Sequence, residues 1–329
     1  MKNYSGQTLQ GRYKILEQIG KGGLSAVYRA YDGVFERTVL TKFIDKKAGD
    51  RSAIHRFKQE LDHLSELHHP NIVTIYDYGE ENEILYLVMA DSGAETLERR
   101  LGSPIPWTDA INILLPIIDA LDYAHQRNIL HTDLSPSTIL LPKTGQPRLI
   151  LFEHGKILEL HGESLQAGTT SMNPAYMAPE IIRGDAPDRG SDIFSLGVIL
   201  YEMVTGRKPY EANTPMGYAL KQINDPLPPP RVFIGNLPQS VEQAILMALA
   251  KDSNHRFQSM REFGDALKNA SADPPTLEKI NVKSSGPEAT NVGSSDPSAS
   301  NDSFFRRILR RLAGDSTIDA PPPGGKKKK

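Results

Sequence analysis

The 329 residues contain no cysteine. Disulfides, thiolate metal sites and cysteine nucleophiles are therefore excluded, which suits a reducing compartment. Long apolar runs are missing too. The longest, such as ILYLVMA at 84–90, fall far short of the roughly 20 residues that a membrane span needs. The opening MKNYSGQTLQ has no apolar core of the kind a secretion signal requires. The cytoplasm is the expected location. A concentrated basic face is also lacking: residues 1–270 carry 28 Lys/Arg against 33 Asp/Glu, and residues 271–329 carry 10 against 7. An acidic body with a basic tail gives no electrostatic footprint for nucleic acid, which is set aside as a partner.

What is present is a chain with 39% hydrophobic and 24% charged residues, enough for a sizeable core in about two units. YKILEQIGKGGLSAVYRAYD reads as two strands around a glycine-rich turn, and RTVLTKFI as a third. AIHRFKQELDHLSEL switches to a helical period, with Ile54, Phe57, Leu61, Leu64 and Leu67 on one side, until His69-Pro70-Asn71 breaks it. NIVTIYDYG and EILYLVMA read as two further strands. Helices follow: WTDAINILLPIIDALDYAHQ places Ile111, Leu114, Ile118 and Leu121 on one face, and DIFSLGVILYEMVTG is apolar almost all round, a buried helix stopped by Gly206. The expected class is α+β, with a small sheet lobe at 11–90 and a larger helical lobe at 91–270. Residues 271–301 turn to Ser, Pro, Asn and Gly, a linker too poor in apolar residues to fold. A basic amphipathic helix is expected at 302–314, with Phe305, Ile308, Leu309 and Leu312 opposite four arginines, and a basic tail at 315–329.

IGKGGLSAVY could bring backbone amides close to a phosphate, although a glycine hairpin would look the same. Its neighbours add weight. Lys42 on the third strand, Glu60 on the next helix, HPNIV, HTDLSP, YMAPE with Glu180, GSDIFSLGVILYEMVTGRKPY with Asp192, and KDSNHRFQSM with Arg256 follow in one order. Together they resemble the Hanks-type serine/threonine protein kinases from about Gly11 to Leu267. The resemblance implies a two-lobed kinase fold. It implies that Lys42 meets nucleotide phosphates and pairs with Glu60, and that Asp133 accepts the proton of a substrate hydroxyl. It likewise implies a nucleotide cleft bordered by Gly20, Gly22, Gly23, Val27, Leu40, Met89 and Leu140. Glu180 with Arg256, and Asp192 beneath the loop, would be structural posts.

The departures from the family pattern are chemical. Where it reads H-R-D-L-K-P-x-N, HTDLSPST has Thr132 for arginine, Ser135 for lysine and Thr138 for the magnesium-binding asparagine. Thirteen residues on, where the family has the D-F-G aspartate, the chain has Leu151-Phe152-Glu153. Magnesium is a hard cation held by carboxylate and phosphate oxygens, and neither a threonine hydroxyl nor a leucine replaces them. Glu153 stands two residues away, about 6.6 Å along an extended chain, too far for one extra methylene to bridge. A loop two residues longer would bring Glu153-His154-Gly155 into that place. Leu40, where the family has an alanine over the adenine, is expected to stack on Val27 and Leu140 and crowd the purine. Leu64, His131 and Phe152 match the family's apolar column between the lobes.

These residues point to a pseudokinase with no metal site, using ATP weakly and without magnesium, and serving as a scaffold or allosteric partner of another protein. The alternative is an active serine/threonine kinase phosphorylating a protein substrate through an unusual metal site at Glu153. For residues 304–312 and lysines 326–329 the candidate partners are an anionic membrane surface, which would place the protein peripherally at a membrane, or a protein groove.

Overall fold

The computed structural model describes residues 2–21, 25–45, 51–82, 84–151 and 173–272. Six antiparallel strands form the N-terminal sheet in the order β1-β2-β3-β4-β6-β5: β1 (Thr8–Leu9), β2 (Tyr13–Lys21), β3 (Ser25–Asp32), β4 (Arg37–Asp45), β5 (Ile75–Glu81) and β6 (Ile84–Ala90). Strand alternation gives this sheet two buried faces. Val39, Phe43, Tyr28, Tyr86 and Val88 point outward into a small aromatic core capped by Tyr4 from the N-terminal segment. Ile44, Leu85, Leu87 and Met89 point inward and join Leu61 and Leu64 of helix α1 (Arg51–Ser65) and the core of the second lobe.

One expected strand begins late. Asn71 to Val73 do not join the sheet; Thr74 O accepts the Ala90 N–H of β6 at 3.0 Å, and β5 starts at Ile75. The segment before it crosses instead to β9 (Arg148–Leu149) of the small C-lobe sheet, which also contains β7 (Glu95–Thr96) and β8 (Ile139–Leu141). Ile72 bridges Leu149 in parallel, Leu149 N–H donates to Asn71 O at 2.7 Å, and Asn71 Nδ2 donates to Pro147 O at 2.8 Å. A run with strand-like composition thus spends its hydrogen bonds on joining the lobes.

The second lobe is helical. Helix α2 (Trp107–His125) buries Ile111, Leu114, Ile118 and Leu121, the face that its spacing predicts. The helix Arg189–Thr205 is buried from Ser191 to Thr205 and starts earlier than its apolar run, because Asp188 and Ser191 close a reciprocal cap. Gly206 ends it in the left-handed conformation at φ +73°, where a Cβ would lie 2.7 Å from Pro104 Cδ. The last described helix, Met260–Ala272, runs two residues past the expected lobe end at 270. The rest of the linker, the amphipathic helix and the tail lie outside the described residues. No described helix is long and apolar enough to cross a membrane.

Candidate functional site

A cleft of about 600 Å³ opens between the lobes, within the range of small-molecule sites, about 300–1,000 Å³. Its roof comes from the inner parity of the sheet: Gly20, Val27, Arg29 and Leu40. Residues 89 to 96 form its back and rim, and Ser137, Leu140 and Ile150 its floor. The strand register orders the roof in rows, Gly20–Val27–Lys42–Leu87 in one and Arg29–Leu40–Met89 in the next. Six of the cleft residues expected from the sequence, counting Lys42 by its place in the register, are brought together in this way. Gly22 and Gly23 lie outside the described residues. Leu40 is half-buried on the wall with Val27 and Leu140 nearby. It borders the cleft without filling it.

Lys42 is buried in mid-sheet, and Glu60 is half-buried on α1. Across the cleft, the loop from His131 to Thr138 is held from below by Asp192. The Asp192 carboxylate accepts the Thr132 N–H at 2.9 Å on Oδ1, and on Oδ2 the His131 N–H at 2.8 Å and the His125 Nε2–H at 2.7 Å. Burial works against the anion, but His125 and the other donors outweigh it and hold its pKa below the usual carboxylate range. His131 Nε2–H donates to Ile150 O at 2.9 Å. Thr132 is left at φ +64°, a strained value for a β-branched residue, and half-buried Asp133 follows it.

The two positions that matter for a metal are occupied differently. Thr138 is buried, and its hydroxyl donates to Ser135 O at 2.8 Å and accepts the Ser135 N–H at 3.4 Å, so it serves the turn. Leu151 is 5% exposed and packs with Leu64, Ile72, Val73, Ile75, Leu87 and Met89 around a gap of about 10 Å³. Neither side chain offers an anionic oxygen, and among the described residues no three His, Asp or Glu side chains cluster around a possible ion. These two positions therefore supply neither the carboxylate nor the amide oxygen with which the resemblance would hold magnesium. Phe152 and Glu153 lie outside them.

The structural posts are present. Arg256, with a fully buried side chain, donates to both Glu180 oxygens at 2.7 and 2.8 Å, and Ser191 Oγ donates to Oε1 at 2.9 Å. Burial alone would raise the Glu180 pKa, yet Arg256 holds it low. Two further features escape the motif pattern. Tyr176 OH donates to Glu202 at 2.6 Å, and Arg29 on the roof pairs with Asp91 at the rim. The parity that puts Arg29 on the same strand face as Val27 could have revealed the second; the first joins residues 26 apart with no local signal.

Comparison with known proteins places these features. The protein kinase domain family matches residues 13–263. Serine/threonine-protein kinase PrkC of Bacillus subtilis is 36% identical over 269 residues, covering 80% of this chain and 41% of the relative. PknB of Mycobacterium tuberculosis is 32% identical over 282 residues, covering 83% and 45%. The chain thus spans less than half the length of the curated relatives it matches. The crystal structure of the Mycobacterium tuberculosis PknI kinase domain superposes with a TM-score of 0.64 at 26% identity, covering 82% of this chain and all of that one. With two lobes, a cleft between them and the loop posts in place, the chain belongs to the protein kinase domain family, on its Hanks-type serine/threonine side.

Proposed function

We propose that this chain is a nucleotide-binding member of the serine/threonine kinase family that works chiefly as a pseudokinase, an allosteric or scaffolding partner of another protein. The family implies ATP use, ordinarily with magnesium, and protein substrates. The observation that carries the finer reading is Leu151: an apolar side chain, buried among aliphatic neighbours, stands where the family keeps its metal-binding carboxylate. Phosphoryl transfer depends almost wholly on positioning and on neutralising phosphate charge. Asp133 can still orient a hydroxyl, but general-base help contributes only about 10²- to 10⁴-fold. Loss of the family arginine at Thr132 also removes the usual partner of a phosphate on the segment before Tyr176.

The second reading, an active serine/threonine kinase, is favoured by the relatives, which carry that name, and by the retained Lys42, Glu60 and Asp133. On this point the comparisons favour phosphotransfer, and the donor chemistry of the cleft opposes it. Transfer of label from γ-labelled ATP to the chain itself or to a generic basic protein, with magnesium and with manganese, separates the two. No transfer, together with nucleotide binding that magnesium does not tighten, is expected. Metal-dependent transfer would overturn the pseudokinase reading and point to Glu153. The proposed location is the cytoplasm, with residues 304–312 and 326–329 bringing the domain to an anionic membrane surface.

A further inference from the structure

The roof of the cleft carries a charge, Arg29, to which the family resemblance gives no part in holding nucleotide. β3 turns Val27 and Arg29 to the same inner face, in successive rows of the sheet: Val27 beside Lys42, Arg29 beside Leu40. Two residues advance about 6.6 Å along a strand. Arg29 therefore stands one row from Lys42 toward the connection between the lobes. There its Nε donates to Asp91 Oδ2 at 3.0 Å, and its Nη1 to Glu17 Oε1 on β2. The Asp91 side chain is only 10% exposed, and its other oxygen accepts the Gly93 N–H at 2.9 Å. The carboxylate is thus fixed from both sides. Two roof strands are tied through one guanidinium to the segment that joins the lobes, and Arg29, Asp91 and Gly93 all border the cleft.

We propose that Arg29 is a positioning residue that latches the roof of the cleft to the interlobe connection, so that the Arg29–Asp91 ion pair gates nucleotide exchange at the base end. The proposal rests on the nucleotide reading above. Separating the roof from residues 91–93 breaks a charge-assisted hydrogen bond to a largely buried carboxylate, which resists opening more than a solvated pair would. Because Arg29 remains partly exposed, salt should weaken the latch.

The test is stopped-flow release of a fluorescent ADP analogue from the full chain at low and high ionic strength, using the natural sequence, Arg29→Met, Arg29→Lys, Asp91→Asn and the double variant of Arg29→Met with Asp91→Asn. Each single loss should speed release by about two- to five-fold, the worth of a partly exposed pair. The double variant should be no faster than either loss alone. Salt should accelerate release from the natural chain and leave the Arg29→Met variant unmoved, with Arg29→Lys in between. Equal rates and equal salt dependence in all proteins would overturn the latch alone. If neither the natural chain nor Leu40→Ala binds the analogue, nucleotide binding fails, and the latch with it.

Discussion

Replacing Leu151 by aspartate restores the family residue and tests the core around it. Leu151 is 5% exposed, so losing its burial costs about 1.5–3 kcal/mol. The new carboxylate would lie among Leu64, Ile72, Val73, Ile75, Leu87 and Met89, none of which can pair with it. Burying the carboxyl in its protonated form adds a further cost of about 1–3 kcal/mol, and the charged form costs more. A total of about 4 kcal/mol would lower the melting temperature by roughly 8–16 °C in a domain of this size. The loss should shrink as pH falls, since a protonated carboxyl is less costly to bury. Adding Thr138→Asn in the same chain supplies both family ligands, and magnesium with nucleotide should then recover part of the loss, whereas the natural chain should gain nothing from magnesium beyond nucleotide alone. Differential scanning fluorimetry across pH, with and without metal, reads all of this. If Leu151→Asp melts like the natural chain at neutral pH, Leu151 does not hold the interlobe core together, and the argument against a metal site loses its footing.

Four other outcomes are expected. Thr132→Asn should stabilise the chain by up to about 1 kcal/mol in urea unfolding, because asparagine tolerates the left-handed conformation that Thr132 holds at φ +64°; destabilisation would mean that the threonine side chain makes a compensating contact. Leu40→Ala should tighten nucleotide binding in a fluorescence titration and cost less than about 2 kcal/mol, the lower bound for emptying a fully buried leucine site, because Leu40 is only half-buried. Hydrogen bonds from Arg12, opposed by burial, hold Asp32 at about 2. The stability this contributes is complete above its unfolded pKa near 4 and lost as pH falls through 2, so Asp32→Asn should flatten the acid limb of a stability–pH curve over that window. The full chain should sediment with anionic vesicles and not with neutral ones; recovery in the supernatant with both would leave docking of residues 304–312 onto protein as the better account.

Much of the fold was legible because its signals are local or periodic. The α2 face at Ile111, Leu114, Ile118 and Leu121, the buried helix stopped by Gly206, and the strand parity that turns Val27, Leu40 and Lys42 to one side all follow from spacing. Ordered motifs supplied what spacing could not, namely which of these elements would meet around a cleft. The remainder depended on partners far apart in the chain. Asn71 to Val73 have strand-like residues, and only the presence of Leu149 decides that they pair there and not in the sheet. The extent to which Leu40 closes the cleft depends on how far the lobes stand apart, which no residue type encodes. Parity turns Arg29 to the cleft face with Val27, but only the fold brings Asp91 to it.

On the proposed reading, the exchange of chemistry for packing has a consistent energetic sense. A carboxylate at position 151 would be tolerable only while a cation neutralised it, so the apolar contacts around it would depend on what the cleft held. Leucine removes that condition. Its neighbours come from α1 through Leu64, from the crossing segment through Ile72 and Val73, and from the sheet through Ile75, Leu87 and Met89, so one side chain joins three elements. Thr138 acts in the same direction, since its hydroxyl closes the turn at Ser135 where an asparagine amide would reach for a metal. Asp192 still fixes the backbone of the loop, at the cost of strain in Thr132. In this arrangement the Leu151 contacts between the lobes need no bound cation or nucleotide. For a protein whose proposed task is to present a surface to a partner, that independence matters more than turnover, and the Arg29–Asp91 latch offers a route by which a nucleotide could still adjust the surface.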